Sequence, residues 1–597
     1  MEKTPIVLDL AHSSRGLRRA ALITLALAAL YLALSGLVHN SYVLLIMALI
    51  PIWALFGVSW NIFSGYSGLL SFGHAAFFGL GSYTVAILFV KLGISPWLGL
   101  PLAGVVGAFA GMVIGAPTFR LRGVYFSLAM LAYPLSLLSI FEWLGLHEVA
   151  LPMMRDNPMA YMQFESPRAY ILIGIVMLVL AVFVDLLIGR SRFGLSLLAV
   201  KQNELAAQAA GINPFRCKLL ALMVSGALAA MAGALYAVVL VIVTPHSAFG
   251  MLVSAQALIF TMFGGVGRVA GPIIGAAILI PLSEALTSFV GVHVPGINGV
   301  IYGVAIIAVV MLAPEGVLPW LTRRFRKDAV RVTGSGTSAT VVTTKTRVRS
   351  DIGPVVLQVE GLSKNYGGLQ AVRDVSFEVR QGEILGIIGP NGAGKTTLFN
   401  LLNRIVPPSS GRVAFEGRDL AGLQPFEVCR LGVGRTFQVA RPFARLTVLD
   451  NVVVGALATT SDDAQAKQVA SEALERVGLL DCASLLAGHL TAVELRLMEI
   501  GRALASGPRL LLLDEILAGL DGHEVERVLG VLMGLSASGL TIVIIEHTMH
   551  AMVRLADRLL VLDHGQVLKV GEPATVTSDP IVIEAYLGKK WVNHAEH

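Results

Sequence analysis

The chain has 597 residues, of which 55% are hydrophobic and 14% charged, and its formal net charge is +6. Its mean hydropathy of +0.74 excludes an all-soluble protein, and its length predicts at least two domains. The three widely spaced cysteines, Cys217, Cys429 and Cys482, form neither a metal-ligand pattern nor a disulfide framework, so we expect three reduced thiols.

The first part of the chain is almost continuously apolar, and about ten segments lie near the ~17–25 residues that a helix needs to cross a bilayer. The predicted spans are 20–37, 42–63, 68–90, 97–116, 124–141, 169–188, 219–243, 252–266, 272–290 and 298–313. Basic residues precede the first span as in a signal peptide, but no clear small-x-small cleavage site follows, so we expect an uncleaved helix. Residues 1–327 are therefore predicted to form an all-α transmembrane domain.

The positions of the basic residues predict how these spans are oriented. With the N-terminus inside, the inside loops hold Arg120, Arg122, Arg190, Arg192, Lys201, Arg216, Lys218, Arg268, Arg323, Arg324, Arg326 and Lys327. The outside loops hold only Lys91, Arg155 and Arg168. This asymmetry is the one that the positive-inside rule expects, and an even number of spans places both termini in the cytoplasm.

Two features inside the spans have two interpretations each. Glycines are frequent in 64–83 and 264–276, where they allow either close helix packing or a lining for a transport path. His74 is an ionisable residue within a span, and it is either a functional residue or, more commonly for a lone histidine, a packing and hydrogen-bonding residue.

The composition changes after the membrane domain. Residues 328–352 are rich in Thr, Ser, Gly and charge, which predicts a flexible linker. From Val355 onward, short β-rich runs alternate with helical patterns, so residues 353–597 are predicted to form a soluble α/β domain.

A phosphate-binding loop follows an apolar strand in this second domain. The segment 384-ILGIIGPNGAGKTTLFNLL-402 contains G-x-x-x-x-G-K-[ST] between a predicted strand and a predicted helix. Backbone N–H groups of such a loop bind phosphates, the lysine contacts the β and γ phosphates, and the hydroxyl binds Mg²⁺. The expected nucleotide contacts are Gly389, Asn391, Gly392, Gly394, Lys395, Thr396 and Thr397, with Thr396 also on Mg²⁺.

A second motif, which is acidic, supplies the carboxylates expected at the phosphate site. The run 510-LLLLDE-515 predicts a buried strand that ends in two carboxylates. Asp514 is expected to hold Mg²⁺, directly or through water, and Glu515 to polarise the attacking water.

With these motifs in order, residues 355–590 resemble an ABC transporter ATPase, an α/β P-loop fold. The resemblance implies that Tyr366 stacks on adenine, that Gln438 senses the γ-phosphate and joins the Mg²⁺ ligands, and that His547 contacts the γ-phosphate. It further implies that Asp521 reaches across an ATPase dimer. The catalytic residues implied in this way are Glu515, His547 and Gln438.

One motif departs from the family pattern. Residues 490–494 read LTAVE where the family typically has LSGGQ, so Val493 replaces a glycine and Glu494 replaces a neutral amide. In the family, each ATP lies between the P-loop of one ATPase and this signature of the other. We therefore expect a heteromer, in which a partner ATPase with an intact signature completes the site built on Lys395; ordinary turnover at both sites is the alternative.

The membrane half resembles the permease of branched-chain amino acid ABC importers over residues 40–315. The stretches that carry the resemblance are 61–84, 119–132, 192–218 and 264–276, and the loop 192–218 loosely matches the importers' coupling-helix pattern, with an ordinary basic loop as the alternative. The outside loop 142–168 lacks a glycine-rich stretch expected in the family, which leaves the substrate open.

The resemblance implies an ATP- and Mg²⁺-dependent importer subunit in the bacterial inner membrane, a permease fused to its ATPase. Expected partners are a second permease, a second ATPase, an extracytoplasmic substrate-binding protein and membrane lipid, with no nucleic acid. The substrate is expected to be a branched-chain or related amino acid, with urea, an amide or a carboxylate as alternatives. Two other functions are alternatives: an ABC exporter half-transporter, which usually has six long helices, and an ATP-driven regulator, which would need a large extracytoplasmic or signalling domain.

Overall fold

The structure, a computed structural model, describes residues 14–121, 123–154, 156–290, 297–312, 316–317 and 353–587. The chain divides into two compact units. One contains the apolar helices up to residue 312, except for residues 202–214, which belong to the other unit together with residues 353–587. The predicted linker at 328–352 lies outside the described residues.

The part of the chain before residue 313 is helical. Its helices are α1 (Ser14–Leu37), α2 (Ser41–Trp60), α3 (His74–Leu92), α4 (Pro96–Thr118), α5 (Val124–Trp143), α6 (Pro167–Arg190), α7 (Arg192–Gln202), α8 (Glu204–Ala209), α9 (Pro214–Leu240), α10 (Pro245–Phe249), α11 (Met251–Gly264), α12 (Ala270–Val290) and α13 (Ile297–Leu312). Among the described residues, nine helical segments are long and apolar enough to cross a membrane. The predicted all-α membrane domain is confirmed, and the 16-residue α13 lies at the tenth predicted span.

The boundaries of the spans differ from the prediction by several residues, and at two of them the difference has a local reason. The second span extends beyond α2 through a π-helical turn at Asn61–Gly65. The third begins at His74 rather than at residue 68, because Gly68 has a left-handed φ of 74° that interrupts the helical backbone.

Glycines in the spans bring helices into close contact. A Cβ on Gly81 of α3 would lie 1.9 Å from the carbonyl oxygen of Ala230 on α9, and one on Gly233 would lie 1.9 Å from that of Phe78. Only glycine permits this backbone approach, which is typical of membrane helix interfaces. At these positions the packing interpretation holds.

His74 is fully buried and has partners at both ring nitrogens. Its Nδ1 lies 2.8 Å from the Ser71 hydroxyl and its Nε2 lies 2.8 Å from the Ser225 hydroxyl. A buried polar side chain with both positions satisfied stabilises the helices around it, which favours the packing role over a functional one.

Short extended segments lie between the membrane helices. Strand β1 (Val149–Ala150) pairs antiparallel with β2 (Ile242–Val243), and a 3-10 turn covers Pro158–Tyr161. The predicted outside loop 142–168 is therefore partly ordered by hydrogen bonds to the segment that follows α9.

The second unit contains two sheets. Its strands are β3 (Val355–Tyr366), β4 (Leu369–Arg380), β5 (Ile384–Ile388), β6 (Ser410–Phe415), β7 (Arg418–Asp419), β8 (Val433–Arg435), β9 (Leu510–Asp514), β10 (Thr541–Ile545), β11 (Arg558–Asp563) and β12 (Gln566–Gly571). Its helices, besides α8, are α14 (Lys395–Leu402), α15 (Pro425–Arg430), α16 (Val448–Ala456), α17 (Asp463–Arg476), α18 (Ala492–Ala505), α19 (Gly522–Ala537), α20 (Met549–Leu555), α21 (Pro573–Thr577) and α22 (Pro580–Leu587).

The larger sheet has the order β12-β11-β5-β10-β9-β8, with all neighbours parallel except β12. Strands β5, β9 and β10 are buried at every position, as expected for parallel strands covered on both faces. The segments that follow β5, β8, β9 and β10 all leave the same edge of this sheet. Ligands of open α/β sheets bind outside the carboxyl ends of the strands, so this edge is the candidate site.

Candidate nucleotide and magnesium site

The loop after β5 has the backbone shape that the phosphate-binding motif requires. Gly394 has a φ of 99°, and a Cβ there would lie 2.3 Å from the Ala371 carbonyl oxygen, so both its conformation and its surroundings require glycine. Lys395 begins α14, and its Nζ donates to the carbonyl oxygens of Gly389 at 2.7 Å and Pro390 at 3.0 Å. Burial lowers the pKa of this lysine, and the carboxylates of Glu515 and Asp514 oppose the shift.

The remaining predicted loop contacts lie at the surface of the same turn. Asn391, Gly392 and Thr396 are exposed and Thr397 is half-buried. Their backbone N–H groups and hydroxyls are therefore accessible to a phosphate chain at the start of α14.

Asp514, the last residue of β9, has one oxygen engaged and one free. Its Oδ2 accepts a hydrogen bond from Arg435 Nη2 at 3.3 Å, whereas its buried Oδ1 has no hydrogen-bond partner. A buried carboxylate oxygen without a donor is suited to a cation, and the hydroxyl of Thr396, at the start of α14, would be a second hard oxygen ligand. These residues fit Mg²⁺. Burial raises the pKa of Asp514 and the guanidinium of Arg435 opposes the shift.

The three residues expected to be catalytic lie together. Glu515 receives a hydrogen bond from Gln438 Nε2 at 2.7 Å on one carboxylate oxygen, and its other oxygen lies 2.7 Å from His547 Nε2. The three side chains come from the ends of β8, β9 and β10, which are adjacent in the sheet. Glu515 also has a left-handed φ of 46°, a backbone strain of the kind that occurs at functional sites.

Glu546 was not predicted, although it directly precedes His547. Its side chain is buried and accepts the backbone N–H groups of Leu517 at 2.7 Å and His547 at 3.3 Å. It thereby joins the segments after β9 and β10. Burial raises its pKa to about 7. An acidic residue at the end of the apolar run IVIIEH was the signal in the sequence that indicated a buried carboxylate.

Tyr366 and Asp521 lie in different environments from the cluster. Tyr366 is 46% exposed at the turn between β3 and β4, and Lys364 Nζ lies over its ring, 5.2 Å from the centroid. Asp521 caps the N-terminus of α19 by accepting the N–H of Glu524 at 2.8 Å. Within the described residues of this chain, Asp521 thus acts as a helix cap; its role across a dimer stays a prediction.

The LTAVE segment forms a capping box at the start of α18. The Glu494 carboxylate accepts the backbone N–H of Thr491 at 2.8 Å and its hydroxyl at 2.9 Å, and Thr491 Oγ1 accepts the N–H of Glu494 at 3.4 Å. Val493 is buried. A carboxylate of the chain itself therefore lies at this helix N-terminus, which would otherwise attract an external anion.

Two family models match the chain. Residues 42–312 match the permease component of the branched-chain amino acid transport system, and residues 372–518 match the ABC transporter model. The branched-chain amino acid transport ATP-binding protein LivG of Salmonella typhimurium is 38% identical over 250 residues, which cover 39% of this chain and 98% of LivG. The chain belongs to the branched-chain amino acid family of ABC transporters.

A further relative and a solved structure are also similar to the ATPase part of this ABC transporter chain. BraF of Pseudomonas aeruginosa, also a branched-chain amino acid transport ATP-binding protein, is 35% identical over 250 residues, with 39% of this chain and 98% of BraF covered. A solved nucleotide-free ATP-binding cassette from an ABC transporter is 32% identical over 40% of this chain and 100% of its own, with a TM-score of 0.37. The two family models, with LivG and BraF, confirm the predicted family and the ABC ATPase fold of the second domain.

In this ABC transporter chain, residues 202–214 pack within the ATPase unit. Helix α8 is capped by Asn203, whose side chain accepts the N–H of Ala206 at 2.9 Å. Arg430 of α15 donates to the carbonyl oxygen of Gly211 at 3.0 Å, and the Arg445 N–H donates to the side chain of Gln202 at 2.9 Å. The sequence predicted a short helix in this loop, and the structure contains it.

Proposed function

We propose that the chain is a fused permease–ATPase subunit that uses ATP to import branched-chain or related amino acids across the bacterial inner membrane. Both termini lie in the cytoplasm in this proposal, as the distribution of basic loop residues indicates. The observation that carries the proposal is the cluster of Glu515, Gln438 and His547 beside Lys395 and Asp514, on a chain whose apolar half matches a branched-chain amino acid permease.

ATP binding is proposed to use the groups at the carboxyl edge of the larger sheet. Lys395 exchanges its bonds to the loop carbonyls for bonds to the β and γ phosphates, and Tyr366 stacks on the adenine. Asp514, Thr396 and Gln438 would hold Mg²⁺, which when bound would neutralise charge that develops on the phosphates.

Hydrolysis is proposed to use Glu515 as the residue that orients and deprotonates the attacking water. Both of its oxygens are engaged by Gln438 and His547. Each oxygen keeps a further lone pair that can accept a hydrogen bond from the attacking water, and contact of His547 or Gln438 with the γ-phosphate would free the carboxylate further when nucleotide is present. Glu515→Gln retains the shape of the site and removes the base, so it should trap ATP and stop uptake; if uptake persists, Glu515 is not the base.

Movement is proposed to pass to the permease through residues 202–214. This segment packs against Arg430 and Arg445 within the ATPase unit, follows the short helix α7 and continues into the membrane helix α9. Closure of an ATPase dimer would displace the segment and thereby rock the permease helices.

The altered signature supports a heteromeric assembly. The Glu494 carboxylate accepts the Thr491 N–H at the N-terminus of α18. It also adds a negative charge at the place where a partner's γ-phosphate would lie. Two copies of this chain would carry two impaired sites, whereas a partner ATPase with an intact signature completes the site on Lys395. The proposed complex also contains a second permease and an extracytoplasmic substrate-binding protein.

Purification of the complex from native membranes in mild detergent, with mass spectrometry of the co-purified subunits, tests this assembly. A second permease and a separate ATPase with an intact signature are expected. A homodimer with no other subunit would contradict the heteromer and would favour an exporter half-transporter. The permease family match and the nine long helices among the described residues support the importer over that alternative.

A further inference from the structure

Arg435 is a buried cation that contacts Asp514 of the proposed ATP site, and none of the predicted roles includes it. It ends β8, and its side chain is 2% exposed. Burying a guanidinium costs several kcal/mol unless its donors are satisfied, so its partners indicate what it does.

The donors of Arg435 reach both halves of the phosphate machinery. Nη2 donates to Asp514 Oδ2 at 3.3 Å. Nη1 donates to the Phe399 carbonyl oxygen at 3.2 Å and to Asn403 Oδ1 at 3.4 Å, at the C-terminal end of α14. The guanidinium thus links the strand that ends in Asp514 to the helix that begins with Lys395.

Aromatic rings restrict the guanidinium further, and so does the Thr436 carbonyl oxygen, which accepts a hydrogen bond from Arg435 Nε at 3.3 Å. Its central carbon lies 5.8 Å from the Phe399 ring centroid and 5.4 Å from that of Phe437. The adjacent Thr436 accepts the backbone N–H of Asp514 at 3.3 Å. Side chains of consecutive residues therefore hold Asp514 by its carboxylate and by its backbone.

The contact with Asp514 involves only one of the two carboxylate oxygens. Arg435 occupies Oδ2, and the buried Oδ1 has no hydrogen-bond partner. Groups that bind a metal ligand from behind fix its orientation, and their loss typically lowers metal affinity or activity by about 10–100-fold.

We propose that Arg435 is a positioning residue, which holds Asp514 by Oδ2 so that Oδ1 is directed at the Mg²⁺ of bound ATP. The inference rests on the proposed ATP site. A planar guanidinium bonds Asp514 and the end of α14 at the same time, whereas the single ammonium of a lysine lacks this fork. Arg435→Lys should therefore keep the buried charge and lose the orientation.

The test measures metal binding without hydrolysis. The purified complex is titrated with Mn²⁺ in the presence of AMP-PNP, and bound Mn²⁺ is followed by electron paramagnetic resonance. R435K is expected to raise the Mn²⁺ dissociation constant by about tenfold or more. Binding of a fluorescent ATP analogue in EDTA, which needs no metal, should stay within about twofold of the unchanged protein if only the orientation of Asp514 is lost.

Two matched variants separate positioning from packing. Arg441 lies 4.6 Å from the same Phe437 ring, and R441K should leave Mn²⁺ binding unchanged. Asn403→Ala removes one partner of Arg435 but not the contact with Asp514, so it should lower the melting temperature without changing Mn²⁺ binding. If R435K does not assemble, R435Q, which removes the buried charge, is measured in the same way.

The outcomes are distinguishable from failure of the ATP site itself. An unchanged complex that binds no Mn²⁺ with AMP-PNP would contradict the proposed site. If it does bind, then a folded R435K with unchanged Mn²⁺ affinity, or N403A with an equal loss, overturns the role of Arg435. Failure of both Arg435 variants to assemble, while N403A assembles, would make the guanidinium a folding determinant and would also overturn the proposal.

Discussion

Gly211 offers the sharpest test of how residues 202–214 act. Its φ is +84°, and a Cβ built there would lie 2.6 Å from the Cβ of Ala458. A left-handed backbone costs a non-glycine residue about 1–2 kcal/mol, and overpacking a contact typically adds about 1–3 kcal/mol. Gly211→Ala should therefore weaken packing of this segment by about 2–5 kcal/mol. At tenfold per 1.4 kcal/mol, this lowers the equilibrium constant between the packed and unpacked segment by a factor of about 25 or more.

The assay is substrate uptake per ATP hydrolysed by the complex in proteoliposomes with its binding protein. G211A should lower this ratio, because the ATPase residues are untouched whereas the segment that moves the permease is displaced. Ala458→Gly removes the opposing methyl, so the double variant G211A/A458G should recover part of the ratio. Gly93 is the matched control, since it has a φ of +64° with no atom within 4 Å of its built Cβ.

Two results would refute this reasoning. The first is full coupling in G211A. The second is a loss in G93A as large as that in G211A, which would show that the effect does not depend on the contact with Ala458.

Three further predictions concern the ATPase unit. Glu515→Gln should keep ATP binding and slow hydrolysis by about 10²–10⁴-fold, measured by phosphate release; a smaller effect would exclude it as the base. Burial raises the pKa of Glu546 from 4.5 to about 7, so stability should fall as pH rises from about 4.5 to 7. The expected loss of folding stability is roughly 3 kcal/mol, at about 1.4 kcal/mol per pH unit, and Glu546→Gln should remove most of it. Thermal unfolding of the full chain at pH 5, 6, 7 and 8 measures this loss. Equal pH profiles of stability for the variant and the unchanged protein would refute the assignment. Val493→Gly with Glu494→Gln should raise vanadate-trapped nucleotide from one to two per complex, and an unchanged ratio would show that LTAVE is not the cause of the asymmetry.

The parts of the site that could be predicted are those encoded by consecutive residues. The loop around Lys395 and the pair after β9 are local motifs in a strand–loop context, and their placement needs no knowledge of the rest of the fold. The membrane spans could be predicted equally well from the sequence, because a helix in lipid needs a continuous apolar run.

Residues whose roles depend on distant neighbours could not be predicted. Nothing in the sequence assigns a role to Arg435, and only the adjacency of β8 and β9 places it on Asp514. By contrast, the capping box of Thr491 and Glu494 is a local T-x-x-E motif, and the start of the third span depends on the local left-handed turn at Gly68.

The most direct test of the proposed importer is transport itself. The complete complex is reconstituted in proteoliposomes with the ATPase units facing the lumen, ATP is enclosed, and radiolabelled leucine is added outside with the binding protein. We predict ATP-dependent accumulation of leucine in the lumen that Glu515→Gln abolishes. ATP hydrolysis without accumulation of leucine or any related amino acid, or net movement from the lumen outward, would contradict the account.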